Sequence, residues 1–566
     1  MRALFRKSLF IYLLCIPLFA GAIDVHYPQQ YFRNPLNIPI LLAGNFGECR
    51  PGHFHSGIDI KTQGRENLPV FAAADGYISR IKMEPGGFGH GLYITHPNGY
   101  TTLYAHLNHF VPALQQYVRK QQYAKQSWTV DLSFTPDQFP VEQGQQIAFS
   151  GNTGGSTAPH LHFEIRDTKT EHPLNPQLFG LDIHDTRAPV PLQVALYSRP
   201  ASIYRQVPAL FPLSNRQGIY KPANDTLYAA KDSVGLGIVV NDYMDGSDNT
   251  LAYYTAAWYA DDILQGRIRL DDIGYDETRY LHAFADYKTK QNDGPWVQCL
   301  FRLPGNELTR IYESLNDAQG IFYNEREAVA VKIVLTDAAG NNSEVRFWLR
   351  QAKEASIAAC GGDGTAGPGK RYTYEHSNCS FYLDGHQLYD AVCAETIVNP
   401  GDGLSQRFTI LRPDIPAHHS FELSIKPDKA LPFTIRNKIA LAYTDGKELS
   451  GKAAVPQDKG WYKASVRNFG DYYLVADTAP PVVKQVAPVR GNLSKANRLA
   501  FIATDAITSV KTFRGELDGA WLLFEQHGNQ WFYEMDAHCA KGPHRLVITA
   551  TDENGNATRQ VFNFSR

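Results

Sequence analysis

The sequence predicts a mainly β protein made of several domains. The chain has 566 residues, and at about 150 residues per domain this length corresponds to about four domains. It contains 31 Tyr, 30 Phe, 45 Gly and 33 Pro but only 4 Met, a composition typical of strands joined by turns. Because hydrophobic residues make up 43% of the chain and charged residues 20%, large cores are expected and general disorder is excluded.

Charge and hydropathy argue against two kinds of partner. The 55 basic and 57 acidic residues give a net charge of -2, and no long run of one sign occurs. Binding to a phosphate backbone needs concentrated Lys and Arg, so no nucleic-acid partner is predicted. No apolar stretch after the first 22 residues approaches the 18 residues of a membrane-spanning helix, so no membrane span is predicted.

The first 22 residues have the features of a secretory signal peptide. Basic residues at positions 2, 6 and 7 precede an apolar run over residues 9–19, and Ala20-Gly21-Ala22 follows. A charged start, a short apolar segment and small residues at the cleavage site define this class of leader. The sequence therefore predicts a signal peptide over residues 1–22 and an exported mature chain.

The cysteines predict at most a sparse disulfide pattern. Cys360, Cys379 and Cys393 lie close enough in sequence for one bridge among them, which export would permit. No C-x-x-C pair occurs, so neither a thiolate zinc site nor a redox motif is predicted.

Residues 23–185 are predicted to form the N-terminal domain. Short apolar runs at residues 70–73, 76–78 and 92–95 are separated by Gly or Pro and predict strands. The stretch 107–140 interrupts this rhythm. Its polar, Gln-rich part at residues 115–126 predicts an inserted helix or lid.

An internal repeat marks the later domains. Residues 185–190 (DTRAPV) are echoed by residues 477–482 (DTAPPV), and the segments that follow close with TDAAGN at 336–341 and TDENGN at 551–556. Pro at the opening and Asp, Asn and Gly at the last hairpin suit antiparallel sandwiches, and they resemble Ig-like β-sandwich modules. We interpret Asp337 and Asp552 as turn residues rather than Ca²⁺ ligands, because a calcium site needs six to eight oxygens.

About three sandwiches are therefore expected after the N-terminal domain. A Gly-rich stretch separates the first of them from the second. The predicted segments are a sandwich at 186–352, a linker at 353–370, a sandwich at 371–476 and an Ig-like sandwich at 477–566.

Three short clusters in the N-terminal domain carry the chemistry. They are residues 55–59 (HSGID), 104–107 (YAHL) and 156–164 (STAPHLHFE). In a strand, His160 and His162 point the same way, about 7 Å apart, while Leu161 and Phe163 face the core. Histidine and carboxylate ligands without thiolates favour Zn²⁺ held by three protein groups with one open position.

These clusters resemble the lysostaphin-type, or LytM-like, zinc endopeptidases of bacterial cell walls, over roughly residues 40–180. The resemblance implies a LytM-like antiparallel β peptidase domain in which His55, Asp59 and His162 bind zinc. It also implies that His106 and His160 are the two catalytic histidines flanking the water. We assign proton transfer to His160 and orientation of the water, or stabilisation of the oxyanion, to His106, with the two roles exchangeable.

Several assignments within the clusters stay open. His53 forms a second H-x-H pair with His55 and is a rival ligand. Glu164 is either a partner that orients an imidazole or a solvated carboxylate. Ala158 stands where the family often has Gly, which matters only if the backbone there needs a positive φ.

The resemblance implies an exported zinc endopeptidase that hydrolyses the crosslink peptides of peptidoglycan. A Gram-negative periplasm is the favoured location, with the cell surface or secretion as alternatives. Two alternatives are a non-catalytic regulator or activator of other wall hydrolases and a wall-binding scaffold. All five functional positions are present, which favours catalysis. The sandwiches are expected to place the peptidase, and to contact other envelope proteins, rather than to complete its site. A fragment covering residues 23–185 is therefore predicted to fold and bind zinc.

Overall fold

The structure is a computed structural model. It describes residues 27–199, 201–229, 233–322, 327–352, 360, 364–401, 403–447, 449–487 and 491–566. The predicted signal peptide over residues 1–22 and most of the predicted linker over residues 353–370 lie outside the described residues.

Strands dominate the described chain, which confirms the mainly β fold class. Among the described residues, only the helix Pro112–Lys125 is longer than five residues. None of these helices has the length and apolar character needed to cross a membrane. The remaining helices are short: Pro176–Leu178, Ile203–Arg205, Thr278–Tyr280, Leu281–Phe284, Tyr287–Gln291, Phe433–Ile435 and Asp458–Gly460.

The N-terminal domain is built on a nine-stranded sheet, in which every pairing is antiparallel. The predicted strands at residues 76–78 and 92–95 are confirmed within it. Seven strands follow in spatial order: Leu42–Gly44, Ile58–Lys61, His160–Asp167, Tyr100–Ala105, His90–Thr95, Gly76–Met83 and Val130–Ser133. Two short strands join from the side, Pro140–Val141 and Pro173–Leu174.

Smaller elements complete this domain. A three-stranded sheet consists of Pro69–Phe71, Gln146–Ser150 and Leu107–Phe110. A two-stranded ribbon consists of Cys49–Arg50 and His53–Phe54. The helix expected near residues 115–126 is confirmed as Pro112–Lys125. It begins with Pro at its first turn, where no amide is needed. It ends at Lys125, and the capping residue Gln126 has a left-handed φ of 46°.

The second module, residues 190–351, forms one connected sheet of eleven strands. Its last two long strands are a hairpin closed by the TDAAGN turn. The strands are Val190–Arg199, Ala209–Arg216, Ile219–Pro222, Thr226–Ala229, Ser233–Asn241, Thr255–Ala260, Ile263–Arg269, Gln298–Cys299, Tyr312–Leu315, Ala328–Thr336 and Asn342–Gln351.

The third module, residues 365–476, contains two five-stranded sheets and a small ribbon. A disulfide joins Cys360 to Cys393, as expected for one bridge among three cysteines, and Cys379 is buried and free. The strands are Thr365–Ala366, Tyr372–Glu375, Cys379–Leu383, Val392–Cys393, Thr396–Asn399, Arg407–Ile410, Pro416–Ile425, Ile439–Thr444, Leu449–Ala453, Val455–Pro456, Tyr462–Asn468 and Gly470–Ala476.

The C-terminal module, residues 482–565, contains a four-stranded and a five-stranded sheet. It ends in a hairpin closed by the TDENGN turn. The strands are Val482–Gln485, Gly491–Asn492, Arg498–Thr504, Val510–Leu517, Ala520–Leu522, Glu525–His527, Gln530–Glu534, Pro543–Asp552 and Ala557–Ser565.

The N-terminal domain packs against two of the modules. Phe46 and Phe54, each 1% exposed, belong to the apolar core of the second module. On another side, the helix Pro112–Lys125 contacts the C-terminal module, where Arg119 pairs with Asp536 at 2.7 Å. The inserted helix is thus a docking element for the last module.

Candidate metal centre and active site

Strand register brings the predicted site residues together. The strand His160–Asp167 lies between Ile58–Lys61 and Tyr100–Ala105, so that His162 is opposite Asp59 on one side and Ala105 on the other. The alternation predicted for this strand is confirmed, because Leu161, Phe163 and Ile165 are fully buried in the core. His160 and His162 consequently share the other face of the sheet.

Three side chains form a compact cluster that suits a metal ion. His55 Nε2 lies 3.1 Å from Asp59 Oδ1 and 3.0 Å from His162 Nδ1, and the latter two atoms are 2.9 Å apart. All three residues are buried. Tetrahedral ligands at 2.0–2.1 Å from Zn²⁺ lie about 3.3 Å from one another. Two imidazole nitrogens and one carboxylate oxygen at these separations therefore fit zinc.

Each of these three side chains has its other polar atom held in place. His55 Nδ1 donates to the carbonyl of Asn45 at 2.8 Å. Arg50 Nη2 donates to Asp59 Oδ2 at 2.6 Å, which leaves Oδ1 facing the histidines. Such outer contacts fix the tautomer and orientation of metal ligands.

Glu164 holds the third side chain of the cluster, His162. His162 Nε2 donates to Glu164 Oε1 at 2.8 Å, and Ser56 Oγ donates to the same oxygen at 2.6 Å. Burial alone would raise the pKa of Glu164, but Arg166, whose Nε lies 2.7 Å from Oε2, and His162 lower this pKa to about 2. Glu164 is fully buried and ionised, so the interpretation of it as a solvated carboxylate is wrong.

Tyr275 reaches this site from the second module. Its hydroxyl donates to Glu164 Oε1 and accepts from Arg166 Nη2 at 2.8 Å. The Arg166 guanidinium lies 4.6 Å from the centre of the Tyr275 ring. All five predicted functional residues come from the N-terminal domain, but the second module also contacts the site, because a long-range contact supplies Tyr275. The independent folding of residues 23–185 stays a prediction.

His106 occupies a corner between two sheets. It connects the strand Tyr100–Ala105 to the strand Leu107–Phe110 and has a φ of 57°, in the left-handed region. Its Nδ1 donates to the Thr153 carbonyl at 2.8 Å. Burial, and then the neighbouring His162 and His160, lower the pKa of His106 to about 3, so its imidazole is neutral.

His160 faces the cluster from the end of its strand. Its Nδ1 donates to the carbonyl of Ala158 at 2.8 Å, while its Nε2 lies 3.3 Å from Asp59 Oδ1. That Nε2 is buried and makes no hydrogen bond. The ring centre of His160 is 4.7 Å from that of His106. The two predicted catalytic histidines therefore flank the cluster side by side.

Two neighbouring positions resolve questions left by the sequence. His53 is exposed and its Nδ1 contacts the Pro51 carbonyl at 3.1 Å, so it lies outside the cluster. Ala158 is not among the residues with a positive φ, so Gly is not needed there. Gly57 is needed, because a Cβ at this position would lie 2.4 Å from the Phe163 carbonyl oxygen.

Of the residues that build the site, Arg50, Asn45, Arg166 and Tyr275 were not predicted, and none of them lies in one of the three clusters. Asn45 itself is held by the second module, because its Oδ1 accepts from the amide of Ala252 at 2.7 Å. No local pattern marks Tyr275. Arg50, five residues before His55, and Arg166, two residues after Glu164, are the two that proximity to a cluster signals.

Comparisons with known proteins agree with this geometry. A model of peptidase family M23 matches residues 53–127 and 129–176, and a model of the Zu5-like domain matches residues 367–477. The first match contains all five predicted site residues. The second covers the third module.

Curated relatives match the same part of the chain. DD-carboxypeptidase/endopeptidase Mpg of Neisseria meningitidis serogroup B is 38% identical over 122 residues, 22% of this chain and 22% of that protein. Murein hydrolase activator NlpD of Salmonella dublin is 33% identical over 147 residues, 26% of this chain and 31% of that protein. The matched segment thus spans only about a fifth to a third of these relatives.

A solved structure is similar over the same region. The catalytic domain of the antimicrobial peptidase lysostaphin from Staphylococcus simulans is 24% identical, with a TM-score of 0.18, and the match covers 23% of this chain and 85% of that structure. From the family match and the curated relatives, we conclude that the N-terminal domain of this chain is a peptidase family M23 domain.

Proposed function

We propose that the chain is an exported zinc endopeptidase that hydrolyses peptide crosslinks of bacterial peptidoglycan, in the periplasm. The observation that carries the proposal is the buried cluster of His55, Asp59 and His162 with His106 and His160 beside it. The family match and the name of Mpg support endopeptidase activity, and the name of NlpD, a murein hydrolase activator, supports peptidoglycan as the substrate class. The β modules are proposed to contact the wall or other envelope proteins.

In this proposal His55, Asp59 and His162 hold the zinc ion. When bound, zinc supplies a Lewis acid and lowers the pKa of a water molecule to about 7. Glu164 keeps His162 in the tautomer whose Nδ1 is free, and Arg50 occupies the second oxygen of Asp59. The ligand atoms are therefore arranged before metal binds.

The two remaining histidines handle protons. His160 Nδ1 and His106 Nδ1 each donate to a backbone carbonyl, which leaves Nε2 of both rings as an acceptor. We assign acceptance of the proton from the attacking water to His160, whose buried Nε2 faces the cluster at 3.3 Å from Asp59 Oδ1. The same ring then donates this proton to the leaving amine. His106, neutral and held by Thr153, orients the water.

The similarity to a murein hydrolase activator supports a second candidate function, regulation of other wall hydrolases. The experiment that separates the two uses purified full-length protein with one equivalent of zinc and isolated crosslinked muropeptides. Mass spectrometry of the products is expected to show cleaved crosslinks. Intact muropeptides, together with stimulation of an added hydrolase, would favour the regulator.

A further inference from the structure

The repeated boundary sequences each bring three aspartates together. The first acidic cluster consists of Asp185, Asp242 and Asp337, and the second consists of Asp477, Asp505 and Asp552. In each cluster, one carboxylate oxygen of every member lies within 4.8 Å of the others. Asp242 and Asp505 lie outside the repeated sequences, so only the fold shows that they belong to the clusters.

The two clusters occupy equivalent places in their modules. The opening strand Val190–Arg199 pairs with Ser233–Asn241, and Asp242 follows directly. In the C-terminal module, the opening strand Val482–Gln485 pairs with Arg498–Thr504, and Asp505 follows directly. Of the other two members, Asp185 or Asp477 precedes the opening strand. Asp337 or Asp552 begins the last hairpin turn. Three separate segments therefore converge at each cluster.

An asparagine links the segments in the same way in both modules. Asn341 Nδ2 donates to the Asp185 carbonyl at 3.2 Å and to Asp337 Oδ2 at 2.9 Å. Asn556 Nδ2 donates to the Asp477 carbonyl at 2.9 Å and to Asp552 Oδ2 at 2.7 Å. The repetition of this geometry in two modules indicates one built arrangement rather than two chance groupings.

Each cluster contains a buried oxygen without a hydrogen-bond partner. Asp242 is 2% exposed and Asp477 is 1% exposed, and Oδ1 of each has no partner. Leaving a carboxylate oxygen buried and unpaired is costly unless a cation or a proton satisfies it. Arg187, whose charge acts on Asp242, donates instead to the carbonyls of Met244 and Ser247. Arg187 thus leaves the Asp242 oxygen unsatisfied, and in each cluster a cation or a proton would satisfy the buried oxygen.

The electrostatics of both clusters also favour a bound cation. Burial, and then the adjacent Asp337, raise the pKa of Asp242 to about 8. Burial also raises the pKa of Asp477, with Asp505 and Asp552 acting in the same direction. Three carboxylates without a counter-ion repel one another, and a divalent cation would remove that repulsion.

The donor chemistry selects the cation. Both clusters offer only oxygen ligands, without His or Cys, which suits a hard cation and not zinc. One member of each cluster, Asp185 or Asp505, is half-buried, so water can complete the six to eight oxygens that Ca²⁺ takes. We propose that the first and second acidic clusters each bind one Ca²⁺ ion, joining the opening strand, its neighbour and the closing hairpin of the module. This proposal replaces the interpretation of Asp337 and Asp552 as turn residues alone, because the fold brings carboxylates from two further segments to each of them.

The test is Ca²⁺ binding by the zinc-loaded full chain, measured by equilibrium dialysis in excess Mg²⁺. Two Ca²⁺ ions per chain are expected at concentrations up to about 10 mM, above the range of weak extracellular sites. Asp242→Asn and Asp505→Asn should each lose one ion, and the double variant should lose both. Asp262→Asn, at a side chain that is 88% exposed, is the matched control and should bind two.

Wild-type protein that binds no Ca²⁺, or a double variant that still binds two ions, would overturn the proposal. The first outcome would mean that protons satisfy the buried oxygens. If a variant does not fold, the wild-type stoichiometry and the rise in melting temperature on adding Ca²⁺ to chelator-treated protein decide the question. A wild-type melting temperature that does not change would count against Ca²⁺.

Discussion

The hydroxyl of Tyr275 donates a hydrogen bond to the carboxylate of Glu164, although the two residues are 111 positions apart and belong to different modules. Glu164 in turn accepts a hydrogen bond from His162, a proposed zinc ligand. The second module therefore reaches the proposed metal centre through two hydrogen bonds. This contact gives the tail a role in positioning the site.

Removing the Tyr275 hydroxyl should weaken catalysis without unfolding the protein. Tyr275→Phe keeps the ring over Arg166 but deletes the bond to Glu164, so His162 is held less firmly. Changes to such outer contacts typically cost about 10–100-fold in metal affinity or activity. Zinc affinity and kcat/KM are the measurements. Tyr228→Phe, at an exposed tyrosine of the same module, is the control, and equal values for both variants would exclude a positioning role.

Asp59 should be essential for metal binding. Asp59→Ala removes the carboxylate that lies within 3.1 Å of both ligand histidines and the negative charge that partly neutralises Zn²⁺. Zinc affinity is expected to fall by orders of magnitude. Elemental analysis after dialysis measures this. His53→Ala should retain one zinc per chain, since His53 lies outside the cluster, and zinc retained by Asp59→Ala would refute the ligand set.

The N-terminal domain should be more stable with the second module than without it. In the fragment 23–185, Phe46 and Phe54 lose the apolar core that covers them, and Asn45 loses its bonds to Ala252. Exposing two buried aromatic side chains costs about 1.5–3 kcal/mol each. Urea unfolding is expected to show a lower midpoint for 23–185 than for the same domain within 23–352. Identical midpoints would show that the interface contributes nothing.

Acid should destabilise the contact between the second and third modules, where the ring of His418 stacks on that of Tyr280 with centres 4.2 Å apart. Burial, and then nearby positive charge, lower the pKa of His282 to about 3 and that of His418 to about 4. The groups whose charge acts on them are Arg279, Arg467, His386 and His419. Below pH 6.5 the unfolded chain binds protons that the folded chain does not, so stability falls as the pH drops.

At pH 5 the loss of folding free energy amounts to about 2 kcal/mol for each of the two histidines, His282 and His418. Thermal melting between pH 7 and pH 5 measures it. His418→Gln should flatten the profile, whereas His376→Gln, at an exposed histidine of the third module, should not. A wild-type melting temperature that is constant over this range would contradict the burial argument.

The parts of this account that local patterns predicted are the fold class, the inserted helix, the disulfide region and the alternation of His160 and His162. Each depends on neighbours in sequence. The parts that escaped prediction depend on long-range pairing. Tyr275 meets Glu164, and Asp242 meets Asp185 and Asp337, only through sheet order and packing between modules. No periodicity or motif in the sequence indicates these long-range contacts.

The two domains that the family models match differ in how far the sequence predicts their functional residues. In the M23 domain, five chemistry-bearing side chains fall into three clusters whose resemblance to LytM-like peptidases implies that they assemble, and the register of His162 against Asp59 agrees with this expectation. The region of the Zu5-like match carries no comparable cluster in the sequence, and only its β-rich character was predicted.

The most direct test of the central claim, zinc-dependent cleavage of peptidoglycan crosslinks, compares wild-type protein with His160→Gln at equal zinc content. The measurement is mass spectrometry of crosslinked muropeptides over time. Wild-type protein should release cleaved crosslinks, and His160→Gln should bind zinc equally but act about 10²–10⁴-fold more slowly. Intact crosslinks with zinc-loaded wild-type protein, or equal rates for the two proteins, would contradict the account.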